Sequence, residues 1–198
     1  MRKPFLIGSL LLTAVLIVGL LQFKKTVVPA LPVLGSVSDF HLTDSRGQAF
    51  SLVDLQDHVW VADFVLTHCQ NECPVLSEHM QRLTQRFQKN ADVHFFSLSV
   101  DPAHETLENL AAYAKGLDAD VTRWHFVTGS PDTVKDLMVH GFKIGVSDQV
   151  QNHSMYFVLV DKSAHIRGYY DAMDAKAAKQ LVRDITRVLH EHTPASGA

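Results

Sequence analysis

Cysteine is scarce in this chain: its 198 residues contain only Cys69 and Cys73. The Cys-x-x-x-Cys spacing is one residue wider than that of a thioredoxin-like redox pair. A disulfide across so short a gap removes little entropy from the unfolded chain, and a domain of this size does not need one, which argues against a purely structural bridge. The pair is therefore a redox couple or part of a metal site.

Basic residues are scarce outside the amino end. Arg2, Lys3, Lys24 and Lys25 are the only charged residues before position 30, and beyond them 14 Lys and Arg face 21 Asp and Glu, a net charge of −7. An acidic domain without a basic stripe binds nucleic acid poorly. A nucleic-acid partner is therefore excluded. Internal repeats are also absent.

Charge is missing altogether from Phe5 to Phe23, a run of 19 residues. About 20 apolar residues span a bilayer, so residues 1–25 are predicted to form a single uncleaved membrane anchor. A cleaved signal peptide is the alternative, but no A-x-A-like cleavage site follows directly. Residues 26–36, rich in Pro and Gly, are predicted to be a linker, 37–192 the domain and 193–198 a flexible tail.

Buried strands and amphipathic helices alternate after the linker. The hairpin "FHLTDSRGQAFSL" precedes strand-like runs at 59–66, 93–100 and 124–129, and two more surround a turn at 162–164. Helical stripes comprise Leu76, Met80, Leu83 and Phe87; Leu107, Leu110, Ala114 and Leu117; a start at Ser130-Pro131; and Leu181, Ile185, Val188 and Leu189. This order predicts an α/β, thioredoxin-like three-layer fold with an N-terminal β-hairpin extension, in which helices cover both faces of a mixed sheet.

The position of the cysteines points to chemistry. Cys73 directly precedes Pro74, so it is expected near the N-terminus of the first helix, with Cys69 in the loop after a buried strand. Free backbone N–H groups and the helix dipole stabilise negative charge there. A thiolate at that position is both a better nucleophile and a better metal ligand.

One of the 12 histidines is expected to reach the cysteines. In a thioredoxin-like layout, the loop before the strand "SMYFVLVD" lies beside the cysteine loop, and this loop carries His153. His68 should point away from Cys69, and His79 is predicted on the exposed side of its helix. Seven others, at positions 41, 58, 94, 104, 125, 140 and 165, have no second ligand at a recognisable spacing. Two thiolates and one imidazole suit Cu(I) or Cu(II), whereas a closed zinc site needs a fourth ligand.

With these residues the sequence resembles the SCO/SenC family of membrane-anchored, thioredoxin-fold copper chaperones. The similarity covers most of residues 37–190. It lies in "FHLTDSRGQAFSLVDLQDHVWVADFVLTHCQNECP", "SVDPAHETLENLAAYAKGL", "WHFVTG" and "NHSMYFVLVDKSAHIRGYYD".

The resemblance implies that Cys69, Cys73 and His153 bind one copper ion per chain. It implies a copper donor, and delivery of copper to, or preparation of, the CuA centre of cytochrome c oxidase subunit II or another copper-receiving protein. It also implies an inner-membrane location with the domain in the periplasm, or in the intermembrane space of a mitochondrion. Gln70 and Asn71 stand where the family usually has Pro-Asp, which puts affinity, redox potential and partner choice in question.

Two other functions use the same loop. In a thiol-disulfide oxidoreductase, Cys69 and Cys73 would be the redox-active pair that reduces the cysteines of a copper-receiving partner. A thiol peroxidase would need one activated cysteine with nearby Thr and Arg. Thr67 is present, but the loop has no Arg. Loss of copper but not of disulfide exchange on replacing His153 would favour the chaperone.

Overall fold

The computed structural model describes residues 29–67, 73–145 and 155–191, without the side chains of Cys73 and Pro74. Within those ranges no helix is long and apolar enough to cross a membrane. The predicted anchor, residues 1–25, lies outside them, as do the tail and two of the three predicted copper ligands.

An eight-stranded mixed sheet organises the described chain. Its spatial order is β1-β8-β7-β4-β5-β6-β2-β3. β4 pairs in parallel with β5, and β5 with β6, whereas the other neighbours are antiparallel. The strands are β1 (Gly35–Ser36), β2 (His41–Asp44), β3 (Ala49–Ser51), β4 (Val59–Val65), β5 (Val93–Ser99), β6 (Trp124–Thr128), β7 (Tyr156–Val160) and β8 (His165–Asp171).

Four helices cover the sheet: α1 (Cys73–Arg86), α2 (Leu107–Gly116), α3 (Pro131–Asp136) and α4 (Ala175–His190). A 3₁₀ turn (Leu52–Leu55) follows β3, and a π turn (Leu137–Gly141) extends α3. Ser130 caps α3 by accepting a hydrogen bond from the Thr133 N–H, with Pro131 at the first helical position. The predicted alternation of strands and helices is thus confirmed.

The period-two alternation of the strands divides the core in two. On one face, Val59 and Val61 pack with α1, α2 and α4. On the other face, Trp60, Ala62 and Phe64 pack with α3, the π turn and the chain around β2 and β3. Because β4 is covered on both sides, every one of its residues is buried, as its uninterrupted apolar pattern predicted.

The predicted hairpin is β2–β3. Its turn is held by Asp44, whose Oδ1 accepts hydrogen bonds from the N–H groups of Arg46 and Gln48. Gly47 closes the turn with φ = 77°, a left-handed conformation that costs a glycine nothing. The hairpin adds to β6 through pairing of Thr43 with Thr128, so the extension widens the sheet.

Two sequence-based expectations need correction. The predicted linker reaches only to about residue 30, because β1 pairs with β8 and the Leu34 N–H donates to the carbonyl of Ile166. Leu107 does not join the buried stripe of α2: it is the first residue of the helix and is 38% exposed.

Arg167 of β8 fastens the start of the domain to its end. It donates to the carbonyl oxygens of Leu31 and Pro32 and to the carboxylates of Asp161 and Glu191. The residue is only 7% exposed, so these contacts are shielded from water. They explain why the chain ahead of β1 is docked.

Arg167→Leu should destabilise the protein by about 3–5 kcal/mol, because it removes the guanidinium from the buried Asp161 carboxylate and the donors from the carbonyls of Leu31 and Pro32. Urea unfolding measures the change. Arg82→Leu is the matched control, since its ion pair with Glu78 is exposed and should be worth less than about 1 kcal/mol. Equal losses in the two variants would contradict a structural role for the Arg167 cluster.

Candidate metal centre

The candidate centre lies at one edge of the sheet, where β4 ends and β7 begins. Their antiparallel register pairs Trp60 with Val160, Val61 with Leu159 and Ala62 with Val158. Continuing this register places Val65, the last residue of β4, level with Met155, just ahead of β7. The chain that leaves β4 and the chain that enters β7 therefore meet at this edge.

Of the three predicted ligands, only Cys73 falls within the described chain, as the first residue of α1. Its backbone thus occupies the helix N-terminus that the Cys-Pro sequence predicted. Cys69 and His153 lie outside the described residues and remain predictions. Among the described residues, no group of three or more His, Cys, Asp or Glu side chains is arranged to hold a metal.

A half-buried carboxylate, that of Glu105, holds Thr67, the last described residue before the cysteine loop. Thr67 donates its hydroxyl to Glu105, 3.0 Å from Oε1 and 2.9 Å from Oε2. Ser99, at the end of β5, donates to Oε2 of the same carboxylate at 2.8 Å. Glu105 thus ties together the chain just after β4 and the end of β5. Sequence reasoning missed this role, because Glu105 follows Thr67 by 38 residues and the pair makes no local motif.

The sequence predicted that His79 lies on the exposed side of α1, but it does not. It is half-buried, and its Nδ1 lies 2.7 Å from the carbonyl oxygen of Ala172. Because a carbonyl only accepts, Nδ1 carries the proton. The helix that begins at Cys73 is therefore fastened to the chain that follows β8.

A fully buried carboxylic acid lies on β4, six residues before Cys69. Asp63 is 0% exposed; its Oδ1 accepts the Ser97 hydroxyl at 2.5 Å, and Ser97 in turn accepts the Trp124 indole N–H. No described residue is hydrogen-bonded to Oδ2. Burial raises the pKa of Asp63 to about 7, although the Ser97 hydrogen bond opposes the shift. The periodicity of β4 predicted burial here but not an unpaired acid.

Three histidines that seemed unrelated in sequence form a row at the opposite edge of the sheet. The ring centroids of His58 and His94 are 3.9 Å apart, and His94 Nδ1 lies 3.0 Å from His125 Nε2. Burial is the largest cause, and neighbouring positive charges the next, of a pKa lowered to about 4 in both His94 and His125. They meet because β4, β5 and β6 all begin at this edge.

Comparison with known proteins identifies the family. The SCO1/SenC family model matches residues 34–190. This chain belongs to that family. The SCO1 protein homolog of Bacillus subtilis is 28% identical over 161 residues, which cover 78% of this chain and 83% of the relative.

Two solved SCO structures share the fold. One is BsSco, described as having a disulfide switch and as a member of the Sco family of cytochrome c oxidase assembly proteins. It is 25% identical to this chain, with a TM-score of 0.72, and the match covers 81% of this chain and 96% of BsSco. The other is Arabidopsis thaliana ScoI with copper bound; it is 20% identical, with a TM-score of 0.65, covering 76% and 98%. These neighbours confirm the predicted thioredoxin-like α/β fold.

Asp63 should make this SCO1/SenC chain less stable at high pH. The folded state holds the Asp63 proton up to about pH 7, whereas the unfolded chain releases it near 3.8, so stability falls as pH rises through that interval. The unfolding free energy of Asp63→Asn relative to the parent should therefore rise by roughly 2–3 kcal/mol between pH 5 and pH 8. Urea unfolding at both pH values tests this, with Asp136→Asn, on the surface, as control. An unchanged difference between pH 5 and pH 8 would refute it.

The histidine row should act in the opposite sense. His94 and His125 resist protonation in the folded state but not in the unfolded chain, so stability falls as pH drops from about 6.5 towards 4. In an Asp63→Asn background, which removes the opposing contribution, His125→Phe should flatten the slope by up to about 1.4 kcal/mol per pH unit. His140→Phe, an exposed histidine, is the control. Identical slopes in all three proteins would rule out this linkage.

Proposed function

We propose that this protein is a membrane-anchored copper metallochaperone that holds one copper ion with Cys69, Cys73 and His153. It would receive copper from a donor protein and deliver it to, or prepare, the CuA centre of cytochrome c oxidase subunit II. Residues 1–25 would anchor it in the inner membrane, with the domain in the periplasm or, in a mitochondrion, in the intermembrane space.

The pairing of β4 with β7 is the observation that carries this proposal. Cys69 follows Val65 by four residues and His153 precedes Met155 by two, so their backbones reach at most about 14 Å and about 7 Å from these neighbouring strand ends. Cys73 begins α1 a few residues farther along. A single ion at this edge is therefore within reach of all three side chains.

The ligand chemistry and the family support copper as the cargo. Thiolate and imidazole ligands suit copper, and a site with only three protein ligands stays open to an incoming ligand from a partner. A family member with the same fold, Arabidopsis ScoI, has been solved with copper bound. BsSco belongs to a family of cytochrome c oxidase assembly proteins, which supports the oxidase as the destination.

A thiol-disulfide reductase is the second candidate, supported by the disulfide switch described for BsSco. One thiolate of the pair would attack a partner's disulfide to give a mixed disulfide. The other cysteine would then displace the partner as its dithiol, leaving Cys69 and Cys73 joined. In this function His153 is dispensable.

Anaerobic Cu(I) titration of the reduced full-length chain in detergent tests the proposal against a competing chelator. We expect one tightly bound equivalent, with affinity reduced at least about tenfold by Cys69→Ala, Cys73→Ala or His153→Ala, since loss even of groups that only orient a ligand costs 10–100-fold. His140→Ala, an exposed histidine on the π turn, should have no effect.

The alternative function gives a different result. Cu(I) binding that is weak and indifferent to His153→Ala, together with rapid reduction of a disulfide substrate, would replace the chaperone with a reductase. Retained disulfide exchange in His153→Ala beside lost copper binding would instead support the chaperone, because only the metal needs the imidazole.

A further inference from the structure

Three residues with metal-binding side chains meet at Ala172, near the candidate centre. The carbonyl of the buried Ala172 accepts the Nδ1 proton of His79, at 2.7 Å. The Ala172 N–H donates to the carbonyl of Met155, at 2.8 Å. Met173 is the next residue along the chain. One imidazole and two thioethers are therefore carried by three neighbouring pieces of chain: α1, the residue ahead of β7 and the residues after β8.

The hydrogen bond of His79 prepares its ring to bind a metal. With the proton on Nδ1, the uncharged ring has its lone pair on Nε2, and no described residue is hydrogen-bonded to that atom. Metal-binding histidines usually donate the other ring N–H to a carbonyl or carboxylate in this way, which fixes the tautomer and orients the ring. The contact with Ala172 supplies such an anchor.

The distribution of methionine sets this place apart. Met80 and Met138 fill the two cores and are 0% and 5% exposed. Met155 is only partly buried and Met173 is 44% exposed. Both methionines of the described chain that escape the cores thus lie at the edge where the cysteine loop begins, although a thioether gains nothing from solvent.

Strand alternation places Met155 on the face of the sheet that α1 covers. Phe157 and Leu159, two and four residues later, point into the core that contains α1. Met155 shares their side of the sheet, and His79 is carried by α1. Met80 and Leu76 of that helix are in the same core, and its His79 reaches Ala172, which is hydrogen-bonded to the backbone of Met155.

We propose that His79, Met155 and Met173 form a second, weaker Cu(I) site, through which copper enters or leaves the Cys69–Cys73–His153 centre. All three ligands are uncharged and two are thioethers, a set that favours Cu(I) over Zn²⁺. Copper moves by ligand exchange and stays Cu(I), so no electron donor or acceptor is needed. This role rests on the proposed function, whereas the site itself does not.

Removal of the thiols exposes the second site to measurement. The full-length chain carrying Cys69→Ser and Cys73→Ser is titrated anaerobically with Cu(I) against a colorimetric chelator. We expect one equivalent, bound more weakly than by the parent. Affinity should fall at least about tenfold in His79→Asn, whose amide keeps a donor for Ala172, and in Met173→Leu. Met138→Leu, in the opposite core, and His140→Asn are the controls.

A spectroscopic readout identifies the ligands directly. With ¹³C-methyl methionine, Cu(I) should shift the Met155 and Met173 methyl resonances of the thiol-free chain and leave those of Met80 and Met138 in place. Absent binding, or shifts spread over all four residues, overturns the proposal. Met173→Leu alters an exposed side chain, so it tests the site even where His79→Asn fails to fold.

The two proposals can fail independently. A parent chain without a thiol-dependent tight equivalent refutes the chaperone, and the thiol-free titration still decides the second site. Conversely, tight binding by the parent with no binding by the thiol-free chain refutes the second site alone. Slower release of Cu(I) from the parent to the chelator in Met173→Leu, at unchanged tight affinity, would support the role in transfer.

Discussion

The antiparallel pairing of β4 with β7 is the constraint on which the candidate centre depends. β4 is buried on both faces and parallel to β5, so neither its position nor its direction can change without disrupting both cores. β7 runs against it, so the start of β7 meets the end of β4. The described residues that border two loops about 80 residues apart in sequence are thereby brought to the same edge of the sheet. In the proposed function, the sheet sets where the site lies and the loops supply its ligands.

Both edges of the sheet carry polar groups whose burial opposes ionisation. In the folded state Asp63 stays protonated up to about pH 7, and His94 and His125 stay unprotonated down to about pH 4. Each group is kept uncharged in the folded state. The cost in stability appears at pH values where the same group is charged in the unfolded chain. Between pH 4 and pH 6.5 the contributions have opposite signs, and the two histidines outweigh Asp63, so the parent's stability is expected to rise with pH, less steeply than that of Asp63→Asn.

Sequence patterns predicted what depends on neighbours along the chain. The stripe Leu76, Met80, Leu83 and Phe87 is buried as predicted, because helical spacing alone places these residues on one face. Glu105, Asp63 and the histidine row were missed, because their partners come from different strands and only the sheet order brings them together. The docking of residues 31–36 was missed for the same reason: it depends on Arg167, over 130 residues away.

Ligand charge separates the roles of the two proposed copper sites. Two thiolates and an imidazole hold Cu(I) strongly, so a partner must displace them one at a time, and a half-released ion needs temporary ligands. Thioethers and a neutral imidazole add no negative charge, so they bind the ion more weakly than the thiolates do and do not hold it back from them. His79 is on the same helix as Cys73, six residues later, and Met155 follows His153 by two. A weak site beside the strong one would shorten the path of the ion between one set of protein ligands and the next.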